Sequence, residues 1–430
     1  MMKRMIALLL MAVLLLTGCQ VGGEQPGSND ATTAPTEAQP LYDWMAAESP
    51  IPVRRSGLLR AGLNTVPFDV TNDGFYYIAN PVGTDTNSYI LYGDNNSDTV
   101  IKLCGRADCT HDTKDCNAHA GSCCHAISCW NGYLYAVIEE SGNLWEDSLK
   151  LYRMNLDGSD RVVVLDLYEF AQGKGFAQED EQEFASYSLM TDGYLKFSIG
   201  HYEKQPDGTL QGELDAHYYF ALNGSMKEPK VLESEVGSLY SCGDVILSLG
   251  DALNGGTHGG YYDWHPETDT ATFLCDHPGQ PGWFGETEGY YFKNGGIYRL
   301  TYATGTEEKL FDTGLTGKYY ATILPDCIIV ASKDFDNPSD KNLYFYNWNY
   351  ELVDTVGITY PFMGYMVTDA IAAETAERII LTNSTLGRPM YYIEKSELGT
   401  GNVKIHSFKL PDMTDAEREY WEDLEWLNNG

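Results

Sequence analysis

The sequence repeats one short pattern along most of its length, a polar turn followed by an aromatic-rich strand. In one copy the turn Asn131-Gly132 precedes alternating aromatic and aliphatic residues up to Val137. A Tyr-rich strand and usually a last apolar strand follow each copy. Seven copies occur, and they begin at residues 72, 131, 191, 242, 288, 325 and 377. A unit of this size cannot bury its apolar faces alone, so repetition predicts that the units stack on one another.

Complete meanders of three or four short strands at regular spacing predict the blades of a β-propeller. We therefore expect an all-β fold with a single propeller of seven blades, and six or eight are the alternatives because the first and last copies are the least regular. A β-sandwich or a β-helix fits the regular spacing less well. The 31 tyrosines are predicted to fill the wedges between blades.

The chain begins with the pattern of a secretion signal. Lys3 and Arg4 precede an apolar run, Ile6 to Leu16, that is too short to span a bilayer. The following Leu16-Thr17-Gly18-Cys19 resembles the lipobox of bacterial lipoproteins. This resemblance implies cleavage before Cys19 and a lipid on its sulfur, with the protein at the cell membrane facing the extracytoplasmic side. An ordinary signal peptide with a chance cysteine is the alternative.

Four regions are predicted from composition and pattern. Residues 1–18 are the signal peptide, and residues 19–45 contain the lipidated cysteine and a flexible tether poor in large apolar residues. The propeller is expected over residues 46–412. Thr414 and Glu417 form a helix-capping signal, so residues 413–430 are predicted to form a short acidic helix. That helix docks on the propeller or binds a partner.

The formal net charge of −34 limits the classes of partner. Such an acidic body repels the phosphates of nucleic acid and the head groups of anionic lipid. Contact with the membrane is therefore expected only through the Cys19 lipid. Solubility and tolerance of salt explain the charge most simply, and cationic partners or divalent cations are the alternative. The protein is expected to be a monomer, with a protein or glycan partner left open.

The repeats, taken together with the signal, resemble bacterial surface lipoproteins that carry TolB-like or WD40-like propellers. This group includes the domain-of-unknown-function propellers of Gram-positive gut anaerobes. The resemblance covers nearly the whole mature chain but rests on the repeat pattern, because the Gly-His and Trp-Asp pairs of true WD40 repeats are absent. It implies partner binding or scaffolding outside the cytoplasm.

A cysteine- and histidine-rich insert, predicted over residues 104–129, departs from the repeat. It holds six of the ten cysteines, and its form Cys-x4-Cys-x-His-x4-Cys resembles an insert of the same lipoproteins. Zinc is one interpretation, because the ligand types and close spacing suit a tetrahedral site. Disulfides are another, with 15 pairings among six cysteines, and reduced thiols are the third. The zinc or disulfide candidates are Cys104, Cys109, His111 and Cys116, and the further disulfide candidates are Cys123, Cys124 and Cys129.

Motifs for catalysis are scarce. The sequence has no Gly-x-Ser-x-Gly elbow, no phosphate-binding loop and no His-Glu-x-x-His. His258 and His265 lie near acidic residues and are weak candidates for a site at one face of the ring. We expect a non-enzymatic binding or scaffold module without an assigned ligand. The alternative is a glycan-active propeller enzyme, a lyase or a hydrolase.

Overall fold

The computed structural model describes most of the chain between residues 42 and 410. The predicted signal peptide, Cys19, His258 and the predicted helix over 413–430 lie outside the described residues. The described ranges are 42–46, 49–51, 68–71, 73–79, 87–111, 114–140, 149–174, 183–190, 193–204, 210–232, 238–242, 245–250, 260–276, 280–316, 319–332, 342–357, 371–382 and 390–410.

These residues form seven antiparallel sheets, and each sheet is built from four consecutive strands. The first three sheets contain β1 (Phe68–Val70), β2 (Gly74–Ala79), β3 (Tyr89–Asp94) and β4 (Val100–Lys102); β5 (Cys123–Trp130), β6 (Tyr133–Glu139), β7 (Leu149–Asn155) and β8 (Val162–Asp166); and β9 (Glu183–Met190), β10 (Tyr194–Lys204), β11 (Leu210–Ala221) and β12 (Lys230–Val231). A short helix, α1 (Leu167–Gly173), follows β8 and is capped by Asp166, whose carboxylate accepts from the Glu169 N–H.

The remaining four sheets follow the same order. They contain β13 (Ser238–Cys242), β14 (Val245–Gly250), β15 (Gly260–His265) and β16 (Thr270–Asp276); β17 (Gln280–Phe284), β18 (Glu288–Lys293), β19 (Gly296–Thr301) and β20 (Thr306–Asp312); β21 (Tyr319–Ile323), β22 (Ile328–Ser332), β23 (Asn342–Tyr346) and β24 (Leu352–Gly357); and β25 (Ile371–Glu374), β26 (Arg378–Thr382), β27 (Met390–Glu394) and β28 (His406–Ser407). A 3₁₀ turn, Lys395–Glu397, follows β27.

The polar turn of the repeat is a tight hairpin connection. Asn131 and Gly132 have φ angles of 49° and 79°, and Asn294 and Gly295 have 49° and 75°. Two successive residues at positive φ define the hairpin turn that matches the twist of its flanking strands, and Asn-Gly is its favoured sequence. The recurrent turn therefore joins two antiparallel strands, as the pattern predicts.

The repeated strand is the second strand of each sheet. The copy that starts at Asn131 continues into β6, and β5 precedes it as the first strand of the second sheet. β5 occupies residues 123–130, so the last part of the predicted insert over 104–129 is a strand. The irregular loop ends before Cys123. Cysteines interrupt the apolar pattern of β5, which explains why the sequence did not separate it from the loop.

The seven sheets close into a ring. β1 contacts β5, β5 contacts β9, β13 contacts β17 and β17 contacts β21. The third and fourth sheets meet where the rings of Tyr219 and Trp264 lie 5.2 Å apart, and the sixth and seventh share a core with Phe345 and Ile379. β25 contacts β1 and completes the ring. The protein is an all-β propeller as predicted, while the number of blades in the whole chain stays a prediction.

Aromatic side chains fill the spaces between sheets. Tyr77, Tyr261, Tyr290 and Tyr291 are at most 1% exposed. Tyr135 of the repeat is buried as well and donates through its hydroxyl to the main-chain oxygen of Leu222 in the third sheet. The predicted role of these tyrosines in packing is confirmed.

The first and seventh sheets meet at a seam that no strand crosses. The Val100 N–H donates to the Lys409 carbonyl over 2.8 Å, and the Lys409 N–H donates to the Asp98 carbonyl over 2.7 Å. The ring of Phe408 packs against Tyr392 of the seventh sheet and Phe75 of the first, with centroids 4.5 and 5.3 Å apart. Side-chain packing and a few hydrogen bonds therefore hold this junction together.

A short segment before the first sheet packs on the last three sheets. Trp44 Nε1 donates to the main-chain oxygen of Lys395 at 2.8 Å. The main-chain oxygen of Trp44 accepts from Asn347 Nδ2 at 3.0 Å. Ile51 is 2% exposed and packs in one core cluster with Trp348. Residues 42–45, which the sequence assigned to the tether, thus include a contact with the propeller body.

Candidate metal centre

The loop between the first two sheets is closed at its base by main-chain hydrogen bonds to β3. As the chain leaves β4, the Leu103 N–H donates to the Ile90 carbonyl at 2.9 Å. As the chain returns, the Ile90 N–H donates to the Ala118 carbonyl and the Ala120 N–H to the Ser88 carbonyl, both at 2.8 Å. Both ends of the loop therefore bond to the same short stretch, which brings Cys104 and Cys116 together.

An arginine of the second sheet holds the returning end of the loop. The Arg161 guanidinium donates from Nη1 to the His119 carbonyl and from Nη2 to the Asn117 carbonyl, each at 2.7 Å. Burial lowers the Arg161 pKa, and nearby Tyr152, Cys124 and Cys116 act in the opposite direction. Gly158 lies in the same turn as Arg161, between β7 and β8. A Cβ at Gly158 would lie 2.9 Å from the Leu103 carbonyl oxygen. Only glycine fits there.

Four potential ligands converge in this loop. Cys104, Cys109, His111 and Cys116 each offer one donor atom, and these atoms all lie within 4.8 Å of one another. His111 Nδ1 is 3.5 Å from Cys116 Sγ. In a tetrahedral zinc site, bonds of about 2.0 to 2.3 Å separate neighbouring donors by about 3.5 to 3.8 Å. The four donor atoms therefore have the identity that a four-coordinate zinc ion requires, and the distance between His111 Nδ1 and Cys116 Sγ matches such a site.

The close spacing of Cys109 and His111 is achieved by an unusual backbone conformation. His111 has a φ angle of 59°, in the left-handed region that costs an L-residue about 1 kcal/mol or more. Its carbonyl accepts from Lys102 Nζ at 3.2 Å, and that ammonium also lies 3.8 Å from the Tyr89 ring centroid. The sharp turn places two ligands separated by one residue on the same centre.

Main-chain N–H groups favour the thiolate form of Cys104. Burial acts to raise the pKa of Cys104, but N–H groups of Arg106 and Asn117 and the neighbouring thiols outweigh it, so the pKa is lowered. At Cys116 burial prevails over the Ala118 N–H and raises the pKa to about 12. Such N–H donors commonly surround metal-bound thiolates, and metal binding displaces the remaining thiol protons.

Two cationic side chains lie near the centre. Zinc with three thiolates and a neutral imidazole carries a net charge of about −1. Lys102 is 8% exposed and adjoins the His111 carbonyl, and Arg161 lies within electrostatic range of Cys116. Neither residue was singled out from the sequence. Arg161 is 45 positions from Cys116, too far for any spacing rule to connect them.

Eight cysteines have described side chains, and each of them is a free thiol. The predicted disulfide candidates Cys123, Cys124 and Cys129 lie along β5, and no disulfide joins them there. Neighbouring residues of a strand point to opposite faces, which separates Cys123 from Cys124. Cys124 and Cys129 are buried in the core shared with Cys116.

Of the two ring-face candidates, only His265 is described. It lies at the end of β15, beside the outermost strand of the fourth sheet, and its side chain is 47% exposed. Its Nε2 is 3.0 Å from Thr272 Oγ1 and 3.8 Å from an Asp263 carboxylate oxygen. Its described partners are therefore surface groups of one hairpin.

Searches for related proteins return fold likeness only. No protein-family model matches the chain, and no curated protein matches it in sequence. Within the part of the chain that is described, no helix is long and apolar enough to cross a membrane.

Among the solved structures that resemble the protein are three propeller-containing or related proteins from bacteria and an archaeon. TolB from Acinetobacter baumannii is 13% identical, with 61% of each chain covered and a TM-score of 0.31. The β-propeller domain of the Trilobed protease from Pyrococcus furiosus is 11% identical, with 68% of this chain and 85% of that chain covered and a TM-score of 0.36. Oligogalacturonate lyase from Vibrio parahaemolyticus is 12% identical, with 75% and 86% covered and a TM-score of 0.40. The chain spans about three fifths of the TolB structure.

Proposed function

We propose that the protein is a non-enzymatic binding or scaffold propeller, anchored to the outer side of a cell membrane by a lipid on Cys19. In this proposal, a structural zinc ion held by Cys104, Cys109, His111 and Cys116 locks the loop at the junction of the first two sheets. The partner is a protein or a glycan, and the propeller acts as a monomer.

The closed ligand set carries the proposal of a structural role. Structural zinc sites have four protein ligands, whereas catalytic sites keep one position for water or substrate. All four donors here come from one loop, and they lie within 4.8 Å of one another. A zinc ion at this centre would have no position left for a substrate, so its contribution would be to stability.

The position of His265 also favours binding over catalysis. This described ring-face candidate lies on an exposed outer hairpin. The net charge of −34 disfavours nucleic acid as the partner.

The lipid anchor is tested by expressing the full chain in a bacterium that processes lipoproteins. We expect the native chain in the membrane fraction and the Cys19→Ala variant largely in the soluble fraction, because a thioether-linked lipid requires the Cys19 sulfur. Cys275→Ala, which removes a thiol of β16, is the matched control and should stay with the membrane. Equal membrane association of the native chain and Cys19→Ala would contradict the anchor.

The absence of catalysis is tested with purified protein on a panel of acidic and neutral polysaccharides. We expect no release of new reducing or unsaturated ends, and binding to a glycan or protein partner that His265→Ala leaves intact. Turnover that His265→Ala abolishes would overturn the proposal in favour of a glycan-active enzyme.

A further inference from the structure

A second group of potential metal ligands lies beside the first two strands of the second sheet. Cys123, His125 and Glu139 each offer one donor atom, and the three atoms lie within 4.8 Å of one another. His125 Nε2 is 3.2 Å from Glu139 Oε2. The group shares no residue with the four-ligand loop centre.

Strand pairing explains why these three side chains meet. Cys123 of β5 lies directly opposite Glu139 of β6, so their side chains project from the same face of the sheet. The register between the two strands shifts between Cys124 and Ala126, which makes His125 the extra residue of a β-bulge. A bulge turns the extra side chain towards the face of its neighbour, and here it brings His125 to Cys123 and Glu139.

The two groups lie on different sides of the second sheet. Cys124 and Ile138, a directly opposed pair, pack in the core shared with the first sheet and with Cys116. Ala126 and Val137, the pair beyond the bulge, pack in the core shared with the third sheet. Because faces alternate along a strand, Cys123 and Glu139 belong with Ala126 and Val137. The three-ligand group is therefore separate from the loop centre.

The surroundings hold the carboxylate in place while leaving a path for a ligand. The Glu139 side chain is only 8% exposed, and Ser122 Oγ donates to its Oε1 at 3.2 Å. The His125 side chain is 24% exposed, and Cys123 is partly exposed. A hydrogen bond to a ligating carboxylate is a regular feature of metal sites, since it fixes the orientation of the ligand. The partial exposure allows a metal ion to enter.

We propose that Cys123, His125 and Glu139 form a second site, for a borderline divalent ion such as Zn²⁺, with one coordination position open. One sulfur, one imidazole nitrogen and one carboxylate oxygen suit zinc or a neighbouring transition metal, and they disfavour calcium and magnesium, which take oxygen ligands. The fourth position would be filled by water or by an oxygen donor such as the carboxylate of a partner. A plain His125–Glu139 ion pair beside an unliganded thiol is the competing explanation.

The ligand set is tested by metal stoichiometry on the purified full chain, reduced, loaded with Zn²⁺ and freed of excess metal by gel filtration. We expect two zinc ions per native chain, one in Cys123→Ala, one in His125→Asn and one in the loop variant Cys109→Ser. The double variant Cys109→Ser/Cys123→Ala should bind none. Glu140→Gln, which alters the carboxylate next to Glu139, is the matched control and should bind two.

Different outcomes separate this site from the loop centre. If Cys123→Ala and His125→Asn bind as much zinc as the native chain, the second site does not exist, whatever Cys109→Ser does. If Cys109→Ser still binds one ion and Cys109→Ser/Cys123→Ala binds none, the second site is established independently of the loop. The two single variants at the site guard against a change that simply fails to fold, which circular dichroism would detect.

The open position is tested with Co²⁺ in place of zinc and acetate as the added oxygen donor. In Cys109→Ser, where only the second site remains, acetate is expected to shift the visible Co²⁺ absorption. In Cys123→Ala, where only the closed loop centre remains, the spectrum should not respond. An unresponsive spectrum in Cys109→Ser would show that the fourth position is closed.

Discussion

Replacing Cys109 with serine is expected to lower the unfolding temperature by about 5 °C in the presence of zinc. An ion that binds only the folded chain at a thousandfold excess over its Kd contributes about 4 kcal/mol, and the unfolding entropy of a chain this long converts that into about 5 °C. Cys109 is chosen because it is partly exposed, whereas Cys116 is buried in the core. Differential scanning calorimetry of the two proteins, each with and without a chelator, measures the effect.

The chelator separates the interpretations of the loop. A zinc centre predicts that EDTA destabilises the native chain more than Cys109→Ser, which keeps only the second site, and leaves Cys109→Ser/Cys123→Ala nearly unchanged. A disulfide predicts destabilisation by a reductant and no response to EDTA. Cys275→Ser, which removes a thiol outside both ligand groups, should respond to EDTA like the native chain. Identical unfolding of the native chain with zinc and with EDTA would refute the structural zinc ion.

Replacing Lys395 with methionine is expected to destabilise the propeller by about 3 to 5 kcal/mol, since it leaves the nearly buried Glu374 carboxylate and the partly buried Asp326 carboxylate without their cation. Lys395 is 1% exposed, and its Nζ lies 2.5 Å from Asp326 Oδ2 and 2.7 Å from Glu374 Oε1. These three residues connect the sixth and seventh sheets. Urea unfolding of the native and variant chains at pH 8 gives the difference.

The loss of folding stability caused by Lys395→Met should depend on pH. Burial raises the pKa of Glu374 to about 7, although Lys395 acts to lower it, and removing the lysine raises it further. A carboxyl with a raised pKa binds its proton more tightly in the folded chain, so stability is gained as the pH falls through that pKa. The variant should therefore lie closer to the native chain at pH 5 than at pH 8.

Two further variants check the cause of this destabilisation. Lys395→Met/Glu374→Gln should recover part of the loss at pH 8, because it removes one of the two stranded charges. Lys309→Met, which breaks an exposed ion pair with Asp312, should leave unfolding unchanged within error. A Lys395→Met chain as stable as Lys309→Met at pH 8 would show that the buried charges are not coupled as described.

The propeller was predictable because the hairpin turns have characteristic residue types that are visible in the sequence. Asn131-Gly132 has the residue types that a two-residue hairpin requires, and the strand after it alternates clearly. The first strand of each sheet was not recognised. β17 contains Pro281 and Gly282, with a shift of register beside them, and β5 is rich in cysteine. The conformation of such strands depends on packing against adjacent strands. A pattern of nearby residues in the sequence does not contain that information.

The loop centre was predictable for a different reason, and only in part. Its four ligands lie within 13 residues, so their types and spacing are visible in the sequence. Glu139 is separated from Cys123 by 16 positions, and only the pairing of β5 with β6 brings them together. His125 joins them because of a bulge, which no spacing rule predicts. From the sequence, Cys123 was therefore only a possible disulfide cysteine, and Glu139 and His125 were not identified beside it.

The seam between Val100 and Lys409 has a consequence for circular permutation of the chain. Every described sheet is made from one continuous stretch, so no strand must travel around the ring to complete a distant sheet. In a circularly permuted chain, a linker would join the two sides of this seam, and new termini would lie between two other sheets. Each sheet would remain whole. Permutation would only move the unlinked junction. Amide hydrogens at that junction, wherever it is placed, should be the first in the ring to exchange with solvent.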